Sequence, residues 1–203
     1  MIQKAANHLK RGDIVIFPTD TVYGIGCAIS KQQSISRLYQ IRQDETTKPQ
    51  LILTASASQA FEYGSFDKHS TKLARIFWPG PLTIVVKARE KVPKAIRGRG
   101  DTIAIRVPNQ PPLLEIIKLV GEPILAPSAN FHSEKTPTSF AEIDKRLISL
   151  VDYAIDLKKL PKALKMQQVP STIVDLTKSP YQVIRAGAVN LDRLKRALEE
   201  PSQ

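Results

Sequence analysis

The sequence predicts an α/β fold: a single domain with a twisted, mostly mixed β-sheet flanked by helices. Short apolar runs typical of buried strands alternate with segments of helical periodicity along the 203 residues. Several predicted strands follow one another at hairpin-like spacing, which favours a mixed sheet over a purely parallel one. The chain contains no internal repeat. We therefore expect one domain over residues 1–203, with a core over about 10–188 and a C-terminal helix over 190–200.

The first half of the chain alternates between the two periodicities. Ile2, Ala5, Ala6 and Leu9 recur at helical spacing, which indicates an amphipathic helix. The elements expected in this half are, in order, a helix over 1–10, a strand over 14–17, a helix over 35–41, a strand over 51–53, a helix over 73–77 that ends at a Pro-Gly-Pro segment, and a strand over 82–86.

The second half repeats the alternation with shorter elements. The elements expected are a strand over 102–107, a helix over 113–120, a strand over 123–126, a helix over 140–150, a strand over 172–176 and a closing helix over 191–198. Residues 158–168 are the least periodic part of the chain, and we expect them to form a mobile connection.

Composition excludes several classes of protein. Apolar residues make up 42% of the chain, which excludes a disordered chain, and no apolar stretch approaches the roughly 20 residues that cross a bilayer. The N-terminus lacks the hydrophobic segment of a signal peptide. The single cysteine excludes an internal disulfide and fits a reducing compartment. The predicted location is the cytoplasm, with no membrane partner.

A net charge of 30 − 19 = +11 favours anionic partners such as nucleotides or RNA. The densest basic cluster consists of Lys87, Arg89, Lys91, Lys94, Arg97 and Arg99, and a second consists of Lys158, Lys159, Lys162 and Lys165. Both clusters are also compatible with ordinary solvated surface. Aromatic residues hardly interleave with them, so platforms for stacking single-stranded bases are not indicated.

Three predicted strands end in loops that carry hydroxyl groups. Thr19 and Thr21 follow the first strand, Ser128 follows another, and Ser171 with Thr172 opens a third. If these ends converge, they form a cleft of neutral hydrogen-bonding groups, and the nearby cations are Arg42, Lys48, Arg106 and Arg185. Such a cleft suits a polyphosphate together with a small polar substrate.

Several kinds of site are excluded by the residues themselves. The chain lacks the G-x-x-x-x-G-K-[ST] and G-x-G-x-x-G patterns of nucleotide- and dinucleotide-binding loops. One cysteine and three scattered histidines make neither a zinc site nor a Cys-His nucleophile. The chemistry that remains is positioning and charge neutralisation, so no residue is assigned a covalent or acid–base role.

One segment and five shorter ones resemble a known family in the same chain order. The segment is P-T-D-T-V-Y-G at 18–24; the others are W-P-G-P-L-T at 78–83, I-R-V-P at 105–108, P-S-A-N at 127–130, P-S-T-I-V-D at 170–175 and I-R-A-G at 184–187. Together they resemble the YrdC-like family, the threonylcarbamoyl-AMP synthases, from about Ile14 to Ala188. The resemblance implies a YrdC-like fold with a basic ligand cleft at the strand ends.

The resemblance also implies an activity and its partners. Members of the family join L-threonine, bicarbonate and ATP into L-threonylcarbamoyl-AMP and release pyrophosphate, which is a nucleotidyl transfer. Mg²⁺ is expected with ATP, and no organic cofactor is expected. The product would pass to a separate threonylcarbamoyl transferase for threonylcarbamoyladenosine formation in tRNA. Further predicted partners are tRNA or double-stranded RNA.

Site residues are carried over position by position. The resemblance places L-threonine against Thr21, Arg106, Ala126 and Ser171, and ATP against Arg42, Lys48, Thr102, Ser128, Asn130, Thr136 and Arg185. Two alternatives remain open at this point. The arginines are also compatible with surface positions beside strands, and the serines with turns that satisfy local backbone groups.

The chain departs from the family where ATP phosphates are expected. Family synthases carry a K-x-R pattern before a Lys or Asn, but residues 41–51 read I-R-Q-D-E-T-T-K-P-Q-L, with Asp44 or Glu45 in the place of a cation. Either these acids face solvent, or ATP binding is weakened. His132-Ser133 also replaces the family's Ser-Gly. The alternative function is therefore a YrdC-like paralogue that binds double-stranded RNA or ribosomes, with weak or no synthase activity.

Overall fold

The computed structural model describes residues 1–43 and 48–199. The α-helices are α1 (Ile2–Arg11), α2 (Gln32–Arg42), α3 (Ala57–Tyr63), α4 (Lys68–Phe77), α5 (Pro111–Val120), α6 (Lys145–Leu150) and α7 (Leu191–Glu199). The strands are β1 (Val15–Pro18), β2 (Tyr23–Ala28), β3 (Leu51–Leu53), β4 (Gly64–Ser65), β5 (Leu82–Ala88), β6 (Thr102–Arg106), β7 (Ile124–Leu125), β8 (Tyr153–Ala154), β9 (Thr172–Asp175) and β10 (Gln182–Arg185). Within the described residues, none of the helices is long and apolar enough to cross a membrane.

The strands form one mixed sheet. Nine of them lie in the order β10-β9-β5-β6-β3-β7-β2-β1-β8, and β4 pairs with β5 beside this path. The pairs β1–β8, β3–β6 and β5–β9 are parallel, whereas the other pairs are antiparallel. The predicted fold class, an α/β domain with a mixed sheet and flanking helices, is confirmed.

Helices cover both faces of the sheet because its strands are apolar on both sides. On β1, Ile16 packs into a core with Leu38 of α2 and Leu73 of α4, while Phe17 packs into a second core with Leu9 of α1 and Leu113 of α5. The second core rests on two helices that end at left-handed glycines, Gly12 after α1 and Gly121 after α5.

The signature segment at 18–24 differs from its predicted form. We expected the whole segment to form a loop after the strand over 14–17, but β2 begins at Tyr23 and runs antiparallel to β1, so that only Thr19 to Val22 form a tight hairpin turn. Strand β2 could not be recognised from its sequence, because it contains glycines and glycine is rare in strands. Gly26 is required there, because a Cβ atom would lie 1.7 Å from the backbone oxygen of Leu125 on β7.

The helix predicted over 140–150 is also wrong as a single element. It consists of a 3₁₀ turn at Phe140–Glu142 followed by α6. Asp144 separates the two and caps α6, since its carboxylate accepts from the backbone N–H of Arg146 at 2.7 Å. Ile143 and Leu147 are buried as expected, but Leu150 is 44% exposed. The four apolar residues recur at helical spacing by coincidence, because the N-cap at Asp144 interrupts the segment.

Residues 158–168, here called the strap, contact the rest of the protein along their length. Leu160 and Met166 are buried. The buried amide of Gln110 donates to the carbonyl of Leu164 at 2.9 Å and accepts from its N–H at 2.7 Å. A segment held in this way differs from the mobile connection that we expected. Its contacts could not be predicted from the sequence, because Gln110 and Leu164 are 54 positions apart.

The strap also covers the signature turn. The backbone N–H of Gln167 donates to the carbonyl of Asp20 at 2.9 Å, and that of Gln168 to the carbonyl of Thr21 at 3.0 Å. The turn is thus held by strand pairing on one side and by the strap on the other.

Candidate active site

The predicted convergence of strand ends produces a cavity of about 530 Å³. The predicted site residues that line it are Thr21, Arg42, Lys48, Arg106, Ala126, Ser128, Thr136, Ser171 and Arg185. Thus the four residues expected around L-threonine lie together, and five of the seven expected around ATP lie in the same cavity. Their roles toward ligands stay predictions.

Thr102 and Asn130 do not line this cavity. Thr102 lies at the start of β6, and the hydroxyl of Thr102 donates to the carbonyl of Arg99 at 3.2 Å. Arg106, at the other end of the same strand, lines the cavity. The Asn130 amide donates to the carbonyls of Phe131 and Glu134. Its oxygen is buried without a partner among the described residues. Asn130 therefore shapes the loop that carries Ser128.

Thr19 organises the signature turn. Its hydroxyl donates to the carbonyl of Val22 at 2.7 Å and accepts from the backbone N–H groups of Thr21 and Val22 at 3.0 and 3.2 Å. Such side-chain bonds to the local backbone stabilise tight turns. Thr21, which is buried, lines the cavity. Its hydroxyl oxygen lies 3.0 Å from the hydroxyl oxygen of Thr19.

Arg106 forms the inner wall of the cavity and is only 3% exposed. Its guanidinium donates through Nε to the carbonyl of Gly80 at 3.0 Å, through Nη1 to Thr21 Oγ1 at 2.8 Å, and through Nη2 to the carboxylate of Asp20. Burial lowers the pKa of Arg106, and the charge and hydrogen bond of Asp20 oppose that shift. Three of its five N–H groups are thus used within the protein.

The resemblance to the family did not assign Asp20 to the site, although Asp20 contacts Arg106. It is 4% exposed and forms an ion pair with Arg106. Its Oδ2 atom is buried without a hydrogen-bond partner among the described residues. A signal was present in the sequence, because Asp20 is the only carboxylate inside the signature segment, but only the fold shows which cation it meets.

Ser171 joins three strands at the other wall. Its hydroxyl lies 2.8 Å from that of Thr83 on β5 and accepts from Arg185 Nη2 at 3.1 Å, and its carbonyl accepts from Arg185 Nε at 3.0 Å. Arg185, at the end of β10, is thereby aimed along the cavity rim. Burial first, and then the charge of Arg106, lower the pKa of Arg185.

Arg42 supports the loop that carries Ser128. It is 6% exposed, and its Nη1 atom donates to the carbonyl of Ser128 and, at 2.9 Å, to that of Asn130. The carbonyl of Arg42 accepts from the backbone N–H of His132 at 2.8 Å. The last residue of α2 thus holds this loop from two directions. His132 itself lines the cavity.

Asp44 and Glu45, the acids of the segment predicted to meet the ATP phosphates, lie outside the described residues. Lys48 follows them and lines the cavity. Within residues 1–43 and 48–199, no three His, Cys, Asp or Glu side chains are grouped so as to hold a metal ion.

The geometry of the site agrees with a comparison against protein families. The family described as Telomere recombination, Sua5_yciO_yrdC, matches residues 7–187. The chain belongs to this family. The match includes the signature turn, Arg106 and the loops of Ser128 and Ser171, so every strand end that forms the cavity lies within the part shared with the Sua5/YciO/YrdC family.

Curated relatives in the family include named synthases. The threonylcarbamoyl-AMP synthase of Pyrococcus abyssi is 32% identical over 200 residues, which cover 98% of this chain and 57% of that protein. The chain thus spans little more than half the length of this relative. The threonylcarbamoyl-AMP synthase of Pseudoalteromonas translucida is 33% identical over 177 residues, which cover 86% of this chain and 92% of that protein.

Solved structures of the Sua5/YciO/YrdC family share the fold. Pyrococcus abyssi Sua5 complexed with L-threonine superposes with a TM-score of 0.89 at 32% identity, covering 98% of this chain and 57% of that one. Escherichia coli YciO superposes with a TM-score of 0.84 at 27% identity, covering 95% of this chain and 92% of that one. Since proteins of different names share the fold, the activity has to be argued from the site.

Proposed function

We propose that the protein is an L-threonylcarbamoyladenylate synthase, a nucleotidyltransferase that forms L-threonylcarbamoyl-AMP, pyrophosphate and water from L-threonine, bicarbonate and ATP. The observation that carries this proposal is the convergence of Thr21, Arg106, Ala126 and Ser171 in one cavity. The synthase names of two relatives and the L-threonine in the Pyrococcus abyssi Sua5 crystal support it.

The inner end of the cavity suits the amino acid. Arg106 retains two N–H donors, and a planar guanidinium matches a carboxylate in shape and charge. Ala126 and Ser171 both line the cavity, and the methyl side chain of Ala126 occupies little of it. A threonine held here would be removed from water, so each charge-assisted hydrogen bond contributes about 1.5–3 kcal/mol.

The outer end suits the nucleotide. Lys48, Arg185 and His132 line the cavity, and Arg42 donates to the carbonyls of Ser128 and Asn130 in the neighbouring loop. These residues would neutralise charge as it moves onto the leaving pyrophosphate. Their arrangement is compatible with a triphosphate that extends from the amino acid toward solvent.

The chain's own contribution to the reaction is alignment. Bicarbonate carboxylates the threonine amine, and a carbamate oxygen then displaces pyrophosphate from the α-phosphate. Holding the carbamate in line with that phosphorus replaces a costly encounter in solution. The described residues offer no cage of carboxylates for a metal, so Mg²⁺ would be held by the ATP phosphates and water, as is usual for this ion.

The basic cluster from Lys87 to Arg99 gives less support to the RNA-binding alternative than its charge suggests. Arg97 donates to the carbonyl of Val92 at 2.8 and 2.9 Å and contacts Asp101 at 3.3 Å. Lys91 is paired with Glu62, and Lys87 donates to the carbonyl of Gly100. Half of this cluster is therefore engaged within the protein. Delivery of the product to a transferase acting on tRNA remains part of the proposal.

A pyrophosphate-release assay tests the proposal. The reaction contains ATP, bicarbonate and Mg²⁺, with L-threonine, L-serine or no amino acid, and the matched control is Arg106→Gln. We expect release that requires L-threonine and is lost in the variant. Release that is independent of L-threonine, or no release from protein shown to be folded by circular dichroism, would overturn the synthase assignment and favour the RNA-binding paralogue.

A further inference from the structure

We propose that Thr83 is a positioning residue for the cavity: its buried hydroxyl donates to the hydroxyl of Ser171, so that the Ser171 proton is directed at an acceptor atom of the bound ligand. The nature of that ligand rests on the proposed function. Thr83 ends the W-P-G-P-L-T segment at 78–83, and no residue of this segment lines the cavity. The segment resembles the family, yet none of its residues was assigned to the predicted site.

The W-P-G-P-L-T segment contacts both walls of the cavity. On one wall, the carbonyl of Gly80 accepts from Arg106 Nε at 3.0 Å. On the other wall, the carbonyl of Pro81 accepts from the backbone N–H of Thr172 at 3.1 Å, and Thr83 Oγ1 lies 2.8 Å from Ser171 Oγ. The segment is therefore placed to orient residues that meet a ligand, although it does not meet the ligand itself.

One lone pair of the Ser171 hydroxyl is used by Arg185. Arg185 Nη2 lies 3.1 Å from Ser171 Oγ, and Arg185 Nε donates to the Ser171 carbonyl at 3.0 Å. A guanidinium has no acceptor atom, so Ser171 accepts in both contacts. The hydroxyl then has one proton and one lone pair left, and the contact with Thr83 uses one of the two.

The surroundings of Thr83 decide which of the two hydroxyls donates. Thr83 is 0% exposed and does not line the cavity, and among the described residues its hydroxyl has Ser171 as its only hydrogen-bond partner. If Ser171 donated, the proton of Thr83 would be buried without an acceptor, which is costly. If Thr83 donates, the proton left over is that of Ser171, which lines the cavity. The second arrangement is therefore favoured.

A Ser171 hydroxyl held in this way is a donor toward the cavity, because both of its lone pairs are occupied within the protein. It complements an acceptor such as a carboxylate or phosphate oxygen. Removal of the Thr83 hydroxyl frees one lone pair of Ser171 and lets its proton turn away from the ligand. Binding is then weakened, although every group that contacts the ligand is still present.

Isothermal titration calorimetry with L-threonine tests the inference. The proteins are the wild type, Thr83→Ala, Thr83→Ser, Ser171→Ala and the double variant with alanine at both positions. Thr83→Ala removes the hydroxyl without placing a new atom against Ser171, and Thr83→Ser keeps it. If Thr83→Ala does not fold by circular dichroism, Thr83→Val takes its place, since valine preserves the volume.

The matched control is Thr54→Ala. Thr54 is also 0% exposed and does not line the cavity, and its hydroxyl is buried without a hydrogen-bond partner among the described residues. The control therefore removes the same atoms from the interior without breaking a contact to Ser171.

We expect Thr83→Ala to bind L-threonine about tenfold more weakly than the wild type, and Thr83→Ser and Thr54→Ala to stay within about threefold of it. In the Ser171→Ala background, removal of the Thr83 hydroxyl should change the affinity by less than about twofold, because no hydroxyl is left to orient.

Three results would overturn the inference. An equal loss in both backgrounds would mean that Thr83 has only a structural role. Unchanged or tighter binding by Thr83→Ala would mean that Ser171 donates to Thr83 in the wild type. Binding by Thr83→Ser as weak as that by Thr83→Ala would mean that the hydroxyl has no role, and this comparison decides even if Ser171→Ala binds too weakly to measure.

The titrations also separate this inference from the proposed function. Any of these three results in a protein that releases pyrophosphate with L-threonine would leave the synthase assignment in place. If L-threonine does not bind the wild type, the synthase assignment fails, and the same variants are titrated with ATP and Mg²⁺, since Ser171 holds Arg185. A loss of ATP affinity confined to the Ser171 background would support the role of Thr83. Unchanged ATP affinity, or no binding of either ligand, would overturn both.

Discussion

Arg106 Nη1 lies 2.8 Å from Thr21 Oγ1, although the two residues are 85 positions apart in the chain. The contact joins the end of β6 to the signature turn between β1 and β2. It brings two of the six motifs that resemble the family, P-T-D-T-V-Y-G and I-R-V-P, into one wall of the cavity.

Arg106→Lys should weaken L-threonine binding by more than about tenfold while keeping the positive charge, because an ammonium group cannot reproduce the planar fork. It should also lower the free energy of unfolding by about 1–3 kcal/mol, since the bonds to Gly80, Thr21 and Asp20 cannot all be kept. Urea unfolding and calorimetry measure the two effects. Unchanged affinity would remove Arg106 from the carboxylate site.

Arg106→Gln should be more damaging, with a loss of about 3–5 kcal/mol, because it leaves the buried Asp20 carboxylate without a cation. Adding Asp20→Asn should recover part of this stability. A double-mutant cycle by urea unfolding measures the coupling, and strict additivity of the two single changes would show that the pair does not contribute as a unit.

Arg42→Lys should raise the KM for ATP about tenfold with a smaller effect on L-threonine, because a lysine cannot hold the carbonyls of Ser128 and Asn130 together. The control is Arg75→Lys on the exposed face of α4. Steady-state kinetics with each substrate varied in turn distinguishes the two effects. Equal rises in both KM values would mean that Arg42 supports the whole cavity.

Gln110→Met should loosen the strap, because methionine fills a similar volume but cannot bond the Leu164 backbone. The expected loss of stability is about 1–3 kcal/mol. Hydrogen exchange followed by mass spectrometry should show faster exchange around Leu164 and in the signature turn that the strap covers. The control is the exposed Gln3→Met, and protection at Leu164 equal to the wild type would contradict this role of Gln110.

Cys27 should make the protein less stable at alkaline pH. Burial, and then the charge of Glu122, raise the pKa of its thiol from 9.0 to about 12. Above pH 9 the unfolded thiol ionises while the folded one keeps its proton, so stability that is fully present below pH 9 is lost as the pH rises toward 12. Relative to Cys27→Ala, the wild type should lose about 1.4 kcal/mol per pH unit in that interval.

Urea unfolding of both proteins between pH 8 and about pH 10.5 measures this difference, since other groups titrate alike in the two. Parallel curves for the two proteins would show that the buried thiol ionises in the folded state as easily as in the unfolded one.

Most long elements could be predicted from pattern, because each repeats an apolar spacing over enough residues to be recognised. The strand over 14–17 and the helix over 113–120 are such cases, and both match the structure within two residues. The strands β4, β8 and β10 have the sequences G-S, Y-A and Q-V-I-R, and they were missed because none of them carries the apolar run that identifies the equally short β3 and β7. Strand β2 was missed because Gly24 and Gly26 remove the apolar pattern.

The candidate site divides in a similar way. The groups available at the site could be read from the chain: hydroxyl groups at strand ends and four basic residues near them. Their contacts with one another depend on the fold. Arg42 and Arg106 look equivalent in the sequence, yet one binds backbone carbonyls and the other binds a buried carboxylate. A sequence pattern reports on residues that are close together in the chain. The partner of a buried charge instead depends on which strands are neighbours in the sheet and on the free-energy cost of leaving the charge unpaired.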